Sequence, residues 1–233
     1  MASPTPQNES ARLEALRQYQ VLDTGSEKAF DDIVELASFT CGVPIALVSL
    51  LDKHRQWFKA KVGLEASETP IEQAFCVHTI SGNGSMVVED ARNDARFSAN
   101  PLVTGAPHIR FYAGTPLVSP EGHAFGTLCI IDRYPRKLST DQRKALESLG
   151  RQVTLLLEFR RVSYDLATAL EKVKTLDPLV PICAYCRRIR EDDGFWNHIE
   201  KFIKNNTDSE FSHGICPDCA RTQLSDLDTL LKE

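Results

Sequence analysis

The sequence predicts an α+β fold, and three observations carry the prediction. Two pairs of apolar runs joined by short polar turns read as β-hairpins, Val43–Leu51 with Gln56–Val62 and Ile109–Val118 with Ala124–Asp132. Apolar stripes at helical spacing surround them, at Leu13, Leu16 and Tyr19 and again at Phe30, Ile33, Val34, Ala37 and Cys41. A long helical pattern then leads from Ser139 to a cysteine-rich tail of different character.

Composition limits the possibilities. In 233 residues, 42% are apolar and 25% charged, enough to bury one core of ordinary size and leave material for a smaller unit. A net charge of −5 and a pI near 5.7 argue against nucleic acid or anionic membrane as a partner, since both attract basic surfaces. The first residues lack an apolar signal segment, and the longest greasy run, Val43–Leu51, is too short to span a bilayer, so the expected location is cytoplasmic. Seven cysteines in such a chain do not form a disulfide framework.

Taken in order, Met1 to Glu9 are polar with two prolines and are expected to be disordered, and a short helix follows to about Leu22. Thr24 with Glu27 predicts a capping box for the next helix, and Gly42 suits the position just past its end. Pro44 and the polar Asp52-Lys53-His54 bound a strand buried on both faces, and Gln56–Val62 is its partner. Ile71–Ile80 is expected to cross one face of the sheet as a helix, and Met86–Glu89 makes a brief strand. Asp90–Ala106 is an irregular loop of the length that often belongs to a binding site. In the second hairpin, Gly114 and Gly126 predict either bulges or places where something packs closely against the strand.

The stretches PIALVSLLD, RQWFKAKVGL, ETPIEQAFCVHTI, VVEDARNDARFSANPLV and IRFYAGTPL with GTLCIID, in that order, resemble a bacterial GAF domain. The resemblance implies an antiparallel sheet of five or six strands with helices on one face and a ligand pocket under loops on the other. It places Phe75, Cys76, His78, Asp90, Asp94, Phe97, Arg110 and Tyr112 around that pocket. Arg110 either holds an anion in its guanidinium fork or pairs with Asp90 or Asp94. In bilin-binding relatives the attachment cysteine is followed directly by histidine; here Val77 stands between Cys76 and His78, which argues against a covalent chromophore. GAF-fold enzymes that reduce free methionine sulfoxide supply an alternative, a thiol oxidoreductase using Cys76 with Cys129.

Beyond Arg136, Ser139 with Gln142 makes a second capping box, and Leu149, Leu156, Phe159, Leu166, Leu170 and Val173 recur at steps of three and four when Gln152 and Ser163 are counted in. This predicts a signalling helix over 139–176 that pairs with a second copy; the alternative is a helix folded back on its own sheet. Asp177-Pro178 ends it. Cys183-x2-Cys186 and Cys216-x2-Cys219 then supply four thiolates suited to one tetrahedral zinc, with a dithiol redox switch as the rival reading and His213 as a substitute ligand. An amphipathic helix over 195–205 and a closing helix through Leu224–Leu231 complete this module, which resembles a cysteine module found on bacterial PAS, GAF and response-regulator proteins. The resulting domains are a tail and short helix (1–19), the GAF domain (20–138), the long helix (139–176) and the cysteine module (177–233). The expected function is a signal-transduction sensor, with ligand or redox state read by the GAF domain and passed along the helix to a protein partner. Because no kinase, cyclase or phosphodiesterase motif follows the long helix, the chain is expected not to be an enzyme.

Overall fold

The computed structural model describes residues 9–82, 84–174, 181–190, 194–206 and 210–221. They form two compact units, one ending at Ala169 and one beginning at Leu170. The expectations for the first eight residues, for the Asp177-Pro178 break and for the Leu224–Leu231 helix lie outside the described residues.

In the first unit, helices α1 (Glu9–Gln18) and α2 (Lys28–Cys41) precede the hairpin β1 (Ile45–Leu51) and β2 (Arg55–Val62). The short β3 (Glu68–Pro70) follows, then a 3-10 turn at Ile71–Gln73 and α3 (Phe75–Ile80). After β4 (Met86–Val88), the long loop contains one helical turn, α4 (Pro101–Thr104), capped by the Asn100 side chain accepting from the Leu102 amide. The second hairpin is β5 (Phe111–Val118) with β6 (Ala124–Asp132), and α5 runs over Thr140–Lys174. The six strands form one antiparallel sheet in the order β3-β2-β1-β6-β5-β4.

Because the two central strands are covered on both sides, β1 is buried at all seven positions and reads as a continuous apolar run. Its alternate residues feed two separate cores. Ala46, Val48 and Leu50 join α2 and α5 on one face; Ile45, Leu47 and Leu51 join α3 on the other. On the helical face, Phe30, Ile33, Val34, Ala37 and Cys41 of α2 are buried as their spacing predicts, and Gly42 closes the helix in the left-handed region at φ 65°.

Three local expectations need correction. The Thr24–Glu27 capping box does not form: the Thr24 hydroxyl donates to the Val21 carbonyl, and α2 starts without a side-chain cap. A stronger partner displaces it. The Lys59 side chain is completely enclosed and donates to Thr24 Oγ1 at 2.9 Å, Gly25 O at 2.7 Å and Glu27 Oε1 at 2.7 Å. Arg160 of α5 also pairs with Glu27, so one carboxylate joins α2, β2 and α5. Second, Gly114 is not a bulge, whereas Gly126 borders one: the pairing steps from Leu117–Gly126 to Val118–Ala124 and leaves Phe125 as the extra residue. A second register break lies between Val48 and Ser49. A Cβ on Gly126 would lie 2.4 Å from the Ser49 carbonyl oxygen of the neighbouring strand.

The third correction concerns α5. Its start has the predicted capping box, with Ser139 and Gln142 exchanging backbone-to-side-chain hydrogen bonds of 3.1 Å. The first half, however, lies on its own sheet through Leu146, Val153 and Leu157, one residue row away from the predicted seam. Gly150 permits the approach, since a Cβ there would sit 2.4 Å from the Thr115 methyl group. Leu149 and Leu156 pack against this core, whereas Leu155, Phe159, Val162 and Leu166 are exposed at steps of four, three and four. The fold-back alternative therefore describes the first half of the helix, and a heptad stripe exists in a shifted phase.

In the second unit, β7 (Ile189–Arg190) pairs with β8 (Trp196–Asn197), and α6 spans Ile199–Asn206. The predicted helix over 195–205 thus begins later, its first residues being strand. Trp196 and Ile199 are each 46% exposed.

Lys59→Met should lower stability by about 2 kcal/mol, because three acceptors lose an enclosed charged donor while Glu27 keeps Arg160 and partial solvent contact. Urea denaturation of both proteins measures it, with a shifted midpoint and an unchanged slope expected.

Candidate functional site

The sheet face opposite α2 and α5 does not close completely. Ile45, Leu47, Phe58 and Ile131 rise from β1, β2 and β6, while Ala74 and Phe75 descend from the start of α3, and Leu102 and Ile109 close one side. Between them lies a cavity of about 500 Å³, in the range that holds a small organic ligand. Polar groups are few. Gln56, Thr69, Glu65 and Arg133 complete the lining, the last two being exposed at its rim.

Of the eight residues expected around a pocket, Phe75 lines this cavity. Four more, Cys76, His78, Phe97 and Tyr112, gather behind it in a packed cluster. Phe75 stacks on Phe97 with ring centroids 4.0 Å apart and planes 10° from parallel, and lies 5.3 Å from the Tyr112 ring. His78 meets Phe97 edge-on at 4.9 Å; burial, then the nearby Arg96 cation, holds its imidazole below the ordinary range. The Tyr112 hydroxyl bonds Thr79 Oγ1 at 2.8 Å and donates to Cys76 Sγ at 3.4 Å. Gly114 is the reason that hydroxyl fits: a Cβ at that position would lie 2.3 Å from it. The close-approach alternative for Gly114 is therefore the one realised, with the occupant being Tyr112 itself.

Cys76 and Cys129 are fully buried with sulfurs 3.8 Å apart. Burial raises the Cys76 thiol, but hydrogen bonds from Cys129, from Thr127 at 2.9 Å and from Tyr112 outweigh it and hold the group down to about 7. Cys129 moves well up, first through its hydrogen bond with Cys76 and then through burial. Of the two sulfurs, Cys76 is the more readily ionised. Neither sulfur lines the cavity, so a substrate there would not touch the thiol that the oxidoreductase alternative requires.

Asp90, Asp94 and Arg110 are engaged elsewhere. Asp90 accepts from Arg92 and Asp94 from Arg96, each two residues along, and these bonds lower both carboxyls. Arg110 Nη1 donates to the carbonyls of Val103 at 2.8 Å and Ile109 at 3.1 Å. The ion pair offered as one alternative for Arg110 is replaced by a tie that fastens α4 to the start of β5.

In the second unit each cysteine pair forms a tight turn. The Cys186 amide donates to Cys183 Sγ at 3.5 Å and the Cys219 amide to Cys216 Sγ at 3.4 Å. These backbone donors lower the Cys183 and Cys216 thiols. Donor chemistry suits zinc, yet among the described residues no three His, Cys, Asp or Glu side chains converge on one point. His213 is exposed.

The model of the GAF domain family matches residues 26–157. A protein named cyclic di-GMP phosphodiesterase from Pseudomonas aeruginosa is 38% identical over 190 residues, or 81% of this chain. That alignment is longer than the 26–157 stretch, so the likeness extends outside it; the chain spans 30% of that relative's length. Among solved structures, the blue-light absorbing form of the Thermosynechococcus elongatus PixJ GAF domain matches with a TM-score of 0.51 and 17% identity, covering 69% of this chain and 96% of that one. The GAF domain of an Acinetobacter phosphoenolpyruvate-protein phosphotransferase gives 0.50 and 18%, covering 67% and 96%. At these identities the two structures speak to fold alone. The expectation that the chain is not an enzyme is overturned by the first of these likenesses, since most of the chain recurs in a protein named for catalysis. Among the described residues, no helix is long and apolar enough to cross a membrane.

Gly114→Ala should cost about 1–3 kcal/mol, because the added methyl group displaces a tyrosine hydroxyl enclosed by Thr79 and Cys76. Thermal unfolding measures the loss, and Gly114→Ala combined with Tyr112→Phe should recover only part of it, because the ring carbon Cζ still lies 2.8 Å from the added Cβ and Thr79 and Cys76 lose the hydroxyl.

Proposed function

The chain belongs to the GAF domain family, and from that premise we propose that it is a ligand-sensing regulatory unit of cyclic di-GMP signalling. The carrying observation is the 500 Å³ cavity, whose lining continues into the strand that leads to α5. Ile131 and Arg133 line it at the end of β6, and seven residues after Arg133 helix α5 begins. The intervening segment is fastened at Arg136, whose guanidinium pairs with buried Asp132 and whose amide donates to the Glu89 carbonyl at 3.1 Å. An occupant that shifts β6 therefore shifts the start of α5. The 38% identity to a protein named cyclic di-GMP phosphodiesterase supports that nucleotide as the output, through turnover by this chain or by a catalytic segment working with it.

Two further parts belong to this reading. The exposed stripe Leu155, Phe159, Val162 and Leu166 has the spacing of a coiled-coil seam, and a second copy of the chain is its occupant. Cys183, Cys186, Cys216 and Cys219 hold one zinc ion, which stabilises a unit too small to build a sufficient core. The donor set and the amide-to-sulfur bonds in each pair support this assignment. The chemistry zinc supplies there is structural cross-linking.

Cellular cyclic di-GMP should differ between bacteria producing the chain and an empty-vector control, and Leu47→Trp, which fills the cavity, should abolish or lock the response. Levels equal in all three strains count against the proposal. Native mass spectrometry should give a dimer with one zinc per chain, and Phe159→Glu should give a monomer with its zinc retained. A wild-type monomer removes the seam, and four freely titrating thiols without metal remove the zinc.

A further inference from the structure

Two buried oxygens in the cavity wall lack partners. Of the four buried side-chain nitrogen or oxygen atoms without a hydrogen bond among the described residues, Gln56 Oε1 and Thr69 Oγ1 both belong to side chains that line this one cavity. They are neighbours: Gln56 of β2 and Thr69 of β3 are directly opposite in the strand register. Gln56 is 6% exposed, so bulk water does not serve its amide oxygen. Leaving such an acceptor buried and unpaired works against folding, and an apolar residue of similar shape would avoid the cost. A carbonyl oxygen can be satisfied only by a donor.

The remaining surface sets the character of what brings that donor. Phe58 and Phe75 give the wall an aromatic, apolar surface, and the charged lining residues are Arg133 and Glu65, opposite in sign and exposed at the rim. An anionic ligand inside would bury its charge without compensation. From the position of these groups we infer that the cavity takes an uncharged, largely apolar molecule that donates an N–H or O–H to Gln56 Oε1, with Thr69 as the adjoining contact. This excludes cyclic di-GMP, with its two phosphodiester charges, as the occupant. The inference rests on the ligand-sensing reading and names the ligand class at that site. Gln56 and Thr69 are then specificity-determining residues.

The test titrates the full chain, by fluorescence, with 2-phenylindole and with 1-methyl-2-phenylindole, two uncharged aromatic probes that differ in a single N–H donor. The wild type should prefer the N–H probe by about tenfold, the effect of pairing one buried acceptor. Gln56→Leu should lose the preference while its thermal midpoint stays level or rises, as expected for a residue kept for binding rather than for the fold. Thr69→Val, conservative in shape, repeats the measurement should Gln56→Leu fail to fold, and should narrow the preference. Equal affinity for the two probes in the wild type, or a preference that survives both substitutions, overturns the donor assignment and leaves the cavity as a ligand site. Displacement of the bound probe by cyclic di-GMP overturns the uncharged class. Binding of neither probe overturns both this inference and the ligand-sensing reading.

Discussion

The buried hydroxyl of Tyr112 is the constraint on which the cavity face of the sheet depends. Apolar contacts alone would let a six-residue helix slide over a sheet, because the hydrophobic effect has no direction. Thr79 and Cys76 of α3 both bond the Tyr112 hydroxyl, and Cys76 also takes the Thr127 hydroxyl from β6, so α3 has one register against the strands. These bonds lie in a dry interior where leaving any of them unmade is costly. The glycine at 114 keeps the seat open. With α3 held there, Ala74 and Phe75 at its N-terminal end stand over β1 and β6, and the cavity is the space left beneath them. Its volume follows from a polar lock a few residues away.

The two faces of the sheet divide stability from sensing. On the helical face, α2 and α5 run antiparallel, with Gln142 reaching the Cys41 carbonyl at one end and Arg160 reaching Glu27 at the other. That face is filled with close-packed side chains from Leu16 to Leu157. The opposite face carries an unfilled volume and two unpaired oxygens, both costs that packing could have removed. Retaining them in the cavity wall gives up stability at the proposed ligand site. Cys76 fits this division as a structural member of the lock: its sulfur bonds Tyr112 and Thr127 and stands outside the cavity lining.

Much of the fold was legible in the sequence, and the failures have specific causes. Strand period and turn chemistry located both hairpins, and α2 buries the five residues that its spacing marks. The Ser139–Gln142 box formed because the carbonyls of Thr40 and Cys41 engage only the Gln142 amide nitrogen and leave its Oε1 to the box, whereas the Thr24–Glu27 box lost to Lys59, thirty-odd residues away in the chain. Local rules cannot see a lysine arriving from another strand. Gly114 and Gly126 were ambiguous for the same reason, since the sequence shows a missing side chain but not the Tyr112 hydroxyl or Ser49 carbonyl that needs the space. The pocket residues drawn from family resemblance found the lock and its aromatic surroundings more than the cavity itself. Gln56 carried a signal that went unused: it shares a strand face with Phe58, and a glutamine on a buried apolar face requires a partner or a purpose.

The heptad stripe of α5 shows how one helix serves two surfaces. An α-helix has 3.6 residues per turn, so a row that buries Leu146, Gly150, Val153 and Leu157 against the sheet leaves the row through Leu155, Phe159, Val162 and Leu166 on a different side. The two rows overlap in sequence between Leu155 and Leu157. Over that overlap the same turns of helix touch the sheet and present the free stripe, so a displacement imposed by β6 at one row is carried rigidly to the other. A loop between sensing and pairing surfaces would absorb such a displacement; a continuous helix cannot, because each turn is fixed to the next by its backbone hydrogen bonds. In the proposed sensor, coupling between cavity and stripe follows from placing both contacts on one helix, with Gly150 setting how closely that helix follows the sheet.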